Sequence, residues 1–206
     1  VALTDSQADY IDALSTEQQI ITIGPAGTGK TFIAATYAAD CLLQHKVRKV
    51  ILARPNEPAG RSLGFLPGTM EEKIAPWAVP ITSVMEERMG AAPLEIALKR
   101  KTVEIVPFEV MRGRSWDNAL IILDEAQNTT PGEMKLFLTR VGEDTQVIIN
   151  GDISQQDIKG TSGLKTVIDM VHRHNIPAAV IEFSIDEIVR SGVCAMWVRA
   201  FHKEGL

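Results

Sequence analysis

Hydrophobic and polar positions alternate in blocks along this chain: short runs that are apolar almost throughout are separated by longer stretches with helical spacing. The runs predict strands at Gln19–Gly24, Lys49–Ala53, Val103–Pro107, Ala119–Asp124, Thr145–Asn150 and Ala178–Phe183. Ile20-Ile21-Thr22-Ile23 and Leu120-Ile121-Ile122-Leu123 leave no polar face, as parallel strands covered on both sides require. Helices fit the gaps at Thr31–Leu43, Pro131–Arg140, Gly163–His172 and Ile185–His202, with one or two more inside Met70–Arg100. Thr130, Pro131 and Glu133 form a strong helix start, and Ser184 with Glu187 repeats its spacing. Strands alternating with helices predict an α/β fold with a mostly parallel sheet. Arg54–Thr69 is the exception, because Pro55, Pro58, Gly60, Gly64, Pro67 and Gly68 break regular structure. With Leu63, Phe65 and Leu66 among them, it reads as a structured loop after a strand, a place where function often resides.

Composition narrows the classes. The 206 residues have room for one sizeable domain, taken as 1–206. With 45% hydrophobic and 23% charged residues, the chain is an ordinary globular one. No apolar run approaches the ~20 residues of a membrane span, and no secretory signal is visible, so a cytoplasmic protein is expected. A net charge of −5 excludes a chain acting mainly as a polycation. Cys41 and Cys194 lie in apolar surroundings and read as buried free thiols.

Three segments carry candidate chemistry. Gly24-Pro25-Ala26-Gly27-Thr28-Gly29-Lys30-Thr31 is a complete Walker A pattern between a strand and a helix. Its glycines allow the backbone to wrap a phosphate, Lys30 would reach the β- and γ-phosphates of ATP or ADP, and Thr31 would hold Mg²⁺. The strand Ala119–Leu123 runs into Asp124-Glu125. Asp124 would bind Mg²⁺, and Glu125 would orient and polarise the attacking water. That glutamate favours hydrolysis over transfer to a small molecule, whose acceptor must be shielded from water. Finally, Val147–Asn150 runs into Gly151-Asp152 with Gln155 four residues after the glycine, where an amide could register a γ-phosphate.

Together these segments resemble motifs I, II and III of superfamily 1 helicases. Leu3-Thr4 with Gln7 resembles the glutamine motif with which such enzymes recognise adenine. More closely, the chain resembles the PhoH family of ATPases. The match runs through Arg54-Pro55, Leu63–Gly68, Met111–Arg114, Ile121–Thr130, Met134–Arg140 and Ile188-Val189-Arg190. Where many members have Glu-Ala-Gly-Glu this chain has Pro58-Ala59-Gly60-Arg61, and Ser191 follows Arg190 where a histidine is common. The resemblance implies a RecA-like P-loop NTPase fold, a three-layer sandwich, and a homo-oligomeric, hexameric ring. It also implies Arg190 as the γ-phosphate contact; Arg54, which follows a strand of the same sheet, is a second candidate, either acting in cis or from a neighbour. RNA or single-stranded DNA is the implied partner. Lys99-Arg100-Lys101, Arg112, Arg114 and Arg61 with Lys73 offer positive charge, and Trp77 and Trp116 are either stacking faces or core. The alternative is a nucleotide-dependent assembly switch with no nucleic-acid activity.

Overall fold

In the computed structural model, which describes residues 1–55, 70–155 and 159–205, the six apolar runs are the six strands. They are β1 (Gln19–Ile23), β2 (Lys49–Arg54), β3 (Val103–Pro107), β4 (Ala119–Leu123), β5 (Gln146–Gly151) and β6 (Ala179–Glu182). They form one sheet in the order β3-β2-β4-β5-β1-β6. Every pairing is parallel. The loop expected around Pro58 to Gly68, with Arg61, lies outside the described residues.

Successive residues in a strand point to opposite faces, so a run with no polar face feeds two cores. Ile20, Val50, Leu52, Leu120, Ile122 and Ile148 pack on one side with Ala34, Ala35 and Ala38. That side is covered by α1 (Asp5–Thr16), α2 (Lys30–Leu43), α3 (Met70–Met89) and α4 (Ala91–Lys99). Ile21, Ile51, Ile121, Leu123 and Ile149 face the other side, against Phe137 and Leu164 on α5 (Pro131–Leu138) and α6 (Gly163–His174). Each fully buried Ile or Leu contributes roughly 1.5–3 kcal/mol. This is the expected three-layer sandwich. Among the described residues no helix is long and apolar enough to cross a membrane.

Several expectations need correction. The apolar pattern does not predict helix α1, because two of its four buried positions are Gln7 and Tyr10 rather than aliphatic residues. The helix expected over Ile185–His202 is two elements. Ser184 and Glu187 do form their capping box, but it starts only a 3₁₀ turn, Ile185–Glu187. Val189 N–H then donates to the Gly27 carbonyl at 2.9 Å, which draws the chain out of helical register. A new helix, α7 (Gly192–Lys203), begins where Ser191 accepts from Cys194 N–H. Trp116 is core rather than a stacking face: it is 4% exposed, with the Arg114 guanidinium over its ring. Cys41 is buried as expected, whereas Cys194 is only half-buried; both are free thiols.

Candidate nucleotide-binding site

All strands run the same way, so the segments after β1, β2, β4 and β5 emerge along one edge of the sheet, where α/β proteins place their ligand sites. The order of strands matters. β5 lies between β1 and β4, which puts the Gly151–Gln155 turn between the glycine loop and the acidic pair.

The loop from Gly24 to Gly29 leads directly into α2, whose first residue is Lys30. Gly27 has φ +82°, and a Cβ there would meet the Arg190 side chain at 2.9 Å. Glycine is favoured there by the left-handed conformation, and the close approach shows how tightly Arg190 lies on the loop. The N-terminal turn of α2 offers its free N–H groups to an anion. Lys30 is 9% exposed, and its ammonium donates to the carbonyls of Gly24 and Pro25, both at 2.7 Å. Burial lowers its pKa, while the carboxylates of Asp152, Asp124 and Glu125 pull the other way.

Asp124 follows β4, with its N–H on the Ala53 carbonyl at 3.1 Å. The Thr31 hydroxyl points to its Oδ2 at 3.4 Å, although 93 positions separate the two residues. A hydroxyl and a carboxylate facing each other are hard oxygen donors of the kind Mg²⁺ takes while keeping several waters. The fit to that ion is good. Burial, then the neighbouring Glu125, raises the Asp124 pKa to about 6.

Glu125 is held in an unusual way. Its backbone has φ +53°, a left-handed conformation that a non-glycine residue adopts at some energetic cost. Gln127, buried at 1% exposure, donates from Nε2 to Glu125 Oε2 at 2.6 Å. The other end of the same amide, Oε1, accepts from the Asp152 N–H at 3.0 Å. The Gln127 carbonyl accepts from Ser162 Oγ at 2.9 Å. A Cβ on Gly151 would sit 2.9 Å from Gln127 Oε1, so the glycine before Asp152 makes room for this bridge. Asp152 in turn accepts from Ser154 N–H and Oγ at 3.0 and 2.6 Å, shaping the turn that ends in Gln155.

These groups border a cavity of about 430 Å³, lined by Gly27, Lys30, Thr31, Asp124, Glu125 and Gln155, with Arg54 and Arg190 at its walls. Arg190 reaches the loop of its own chain. Of the expected residues, Gly24, Pro25, Thr28 and Gln7 do not border this cavity; the Gln7 amide donates to the Thr28 carbonyl at 3.0 Å. Two further residues belong here. Gln127 stands two residues after the acidic pair, but its bridge to Asp152 is long-range. Trp77, open as either a stacking face or core on sequence, lines the cavity from α3, and nothing in its own segment signals that.

Among the described residues the positive clusters do not converge. Lys99-Arg100-Lys101 precedes β3 and therefore lies at the opposite end of the sheet, with Lys99 paired to Glu95. Arg114 is tied to Glu104. Arg112 is exposed on the segment after β3, at the cavity's end of the sheet.

Residues 1–202 match the family model described as PhoH-like protein. The chain is 40% identical over 205 residues to Protein PhoH of Escherichia coli (strain K12), covering 98% of this chain and 58% of that protein. It is 41% identical over 203 residues to a PhoH-like protein of Bacillus subtilis (strain 168), covering 98% and 63%. It thus spans less than two thirds of the length of these relatives. Among solved structures, the large terminase from a thermophilic bacteriophage aligns with a TM-score of 0.55 at 11% identity, over 95% of this chain and 50% of that one. That likeness is one of fold.

Proposed function

The chain belongs to the PhoH-like protein family, and from the geometry of its site we propose that it binds ATP with Mg²⁺ and hydrolyses it to ADP and phosphate. One observation carries this reading: segments 93 positions apart bring Lys30, the Thr31–Asp124 oxygen pair and Glu125 to the edges of one cavity. The N–H groups of Ala26, Gly27, Thr28 and Gly29, in a loop bent by Pro25, hold the phosphates together with Lys30, while the Gly24 N–H anchors the loop on the Gly151 carbonyl at 3.2 Å. Thr31 and Asp124 would hold the metal, which would supply neutralisation of the phosphate charge. Glu125 orients and polarises the water; Gln155 contacts the γ-phosphate. Arg190 supplies the positive charge that the transition state needs, in cis, with Arg54 a second source.

Phosphate release and calorimetric ADP binding, each with and without Mg²⁺, test the reading on wild type and Glu125→Gln. Hydrolysis lost with binding kept is the expected result; a wild type that takes up no nucleotide overturns it.

The finer reading couples hydrolysis to RNA or single-stranded DNA in a homo-oligomeric ring of a cytoplasmic protein. The family resemblance supports this, and exposed Arg112 at the site's end of the sheet agrees with it. ATPase stimulation by single-stranded RNA or DNA at low salt tests the coupling. A specific observation also favours the assembly-switch reading. Helix α7 exposes Val193, Met196, Trp197 and Phe201, each more than half accessible, directly after Arg190. Nucleotide-dependent molecular mass without any response to nucleic acid would select it.

A further inference from the structure

A second cavity, about 340 Å³, adjoins the phosphate cavity: Gly29, Phe32 and Val189 border both. It runs between α1 and α2, against the first turn of the helix that follows the glycine loop. A nucleotide with its phosphates on that loop has its base within reach of this groove. The size is that of a ligand site, and its walls are mainly apolar, from Ile11, Leu14, Ile33 and the ring of Phe32, which is 56% exposed.

The polar side chains bordering the groove are each engaged within the protein. The Gln7 amide accepts from Leu3 N–H at 2.8 Å and donates to the Thr28 carbonyl at 3.0 Å. It is 5% exposed, and it is pressed so close that a Cβ on Gly29 would lie 2.8 Å from its Nε2. The Thr36 hydroxyl donates to the Phe32 carbonyl at 2.9 Å. The Tyr37 hydroxyl lies 2.8 Å from both the Leu14 carbonyl and Gln146 Oε1. Both Asp40 oxygens are taken by Arg88, at 2.7 and 3.2 Å.

Adenine and guanine differ where one carries an amino donor and the other a carbonyl acceptor. A site separates such groups strongly, by ~10⁴–10⁵, only when its own buried donors or acceptors are left unpaired by the wrong partner; apolar walls discriminate by ~10² or less. Resting on the nucleotide-hydrolysis reading above, we infer that this groove is a stacking slot for a purine ring that reads neither edge, so that ATP and GTP are alternative substrates. Gln7 is then a positioning residue that braces the loop through Thr28, and Phe32 is the contact that holds the base.

The test compares Mg-ATP with Mg-GTP by phosphate release, and ADP with GDP by calorimetry, for wild type, Gln7→Ala and Phe32→Ala. The expected kcat/KM ratio between the purines is within ~100-fold, the ceiling for apolar walls. Phe32→Ala weakens both diphosphates by a similar factor, on the order of 5- to 100-fold for a lost stacking face. Gln7→Ala lowers turnover of both triphosphates and leaves their ratio unchanged. A purine ratio beyond that ceiling, or one that shifts in Gln7→Ala, overturns the inference. Absence of hydrolysis with either triphosphate would instead overturn the ATPase reading, and the ADP and GDP affinities would still decide the groove.

Discussion

Two adjoining cavities share a border at Gly29 and Phe32 and differ in almost every other respect. The phosphate cavity gathers Lys30, Asp124, Glu125, Arg54 and Arg190, with a left-handed glutamate and a buried amide bridge between them. The groove beside it is walled by aliphatic side chains and the rings of Phe32 and Tyr37, its polar side chains hydrogen-bonded to other groups of the protein. Strained backbone and half-buried charge gather where a charged, reacting group would sit; quiet packing is found where only ring stacking is needed. On the proposed reading the chemistry belongs to the first cavity, and the second adds affinity through stacking alone.

Four experiments sharpen that contrast, beginning with the largest effect. Arg190→Ala should lower turnover by ~10³ or more, the scale of a lost arginine finger, with ADP affinity little changed. A near wild-type rate would remove Arg190 from the mechanism. Next, Glu125→Gln should cost ~10²–10⁴ in kcat, the range for a positioned proton acceptor. Since the new amide oxygen can still accept from Gln127, the fold should melt as before; retained activity would transfer the role to another group.

The amide bridge is the third target. Gln127→Ala should lower kcat by roughly 10- to 100-fold, less than loss of a direct contact with the reacting group, while leaving nucleotide affinity intact. Gln127→Glu, which places a carboxylate against Glu125, should also move the acidic limb of the pH–rate profile upward. A profile unchanged in both variants would make the bridge merely structural.

The smallest effect is on stability and follows from Asp124. Its pKa in the fold, about 6, is above the ordinary carboxylate value of 3.8. Between those values the folded state holds a proton that the unfolded chain has lost, so stability is full below the lower value and declines as pH rises through about 6. Asp124→Asn should therefore raise the melting temperature by a few degrees at pH 8, with the gain vanishing near pH 4. In the wild type, Mg²⁺-dependent ATP binding should weaken below about pH 6, as a proton competes for the carboxylate. Affinity that stays level from pH 5 to pH 8 would contradict this.

How far the site could be read in advance depended on how local each part is. The glycine loop with Lys30 and Thr31 is eight consecutive residues, and Asp124-Glu125 is a dipeptide after an unbroken apolar strand; both announce themselves. Gln127 announces only its presence. Its partners are fixed by the packing of β5 against β4, and no spacing in the chain encodes which end of the amide faces Glu125. Gln7 shows the same limit: the resemblance assigns it to adenine, and nothing in its own segment encodes that its amide also donates to the carbonyl of Thr28. The lost continuity of the predicted helix over Ile185–His202 has a similar cause. One hydrogen bond from Val189 to Gly27 outweighs a good capping box, because a local signal only starts a helix and tertiary contacts decide whether it continues.

By itself, then, the amino-acid order determined the strands, both buried faces of the sheet, and the phosphate loop with its carboxylates. These depend on side-chain periodicity and on residues a few positions apart, where sterics and burial act within the segment. Tertiary structure alone decided the strand order that places Asp152 between loop and carboxylate, the reach of Arg190 over Gly27, and the apolar character of the groove beside Phe32. Each of these arises from groups far apart in the chain or from polar atoms whose partners come from other elements. Such pairings are selected by how the layers pack, and nothing in either segment alone specifies them.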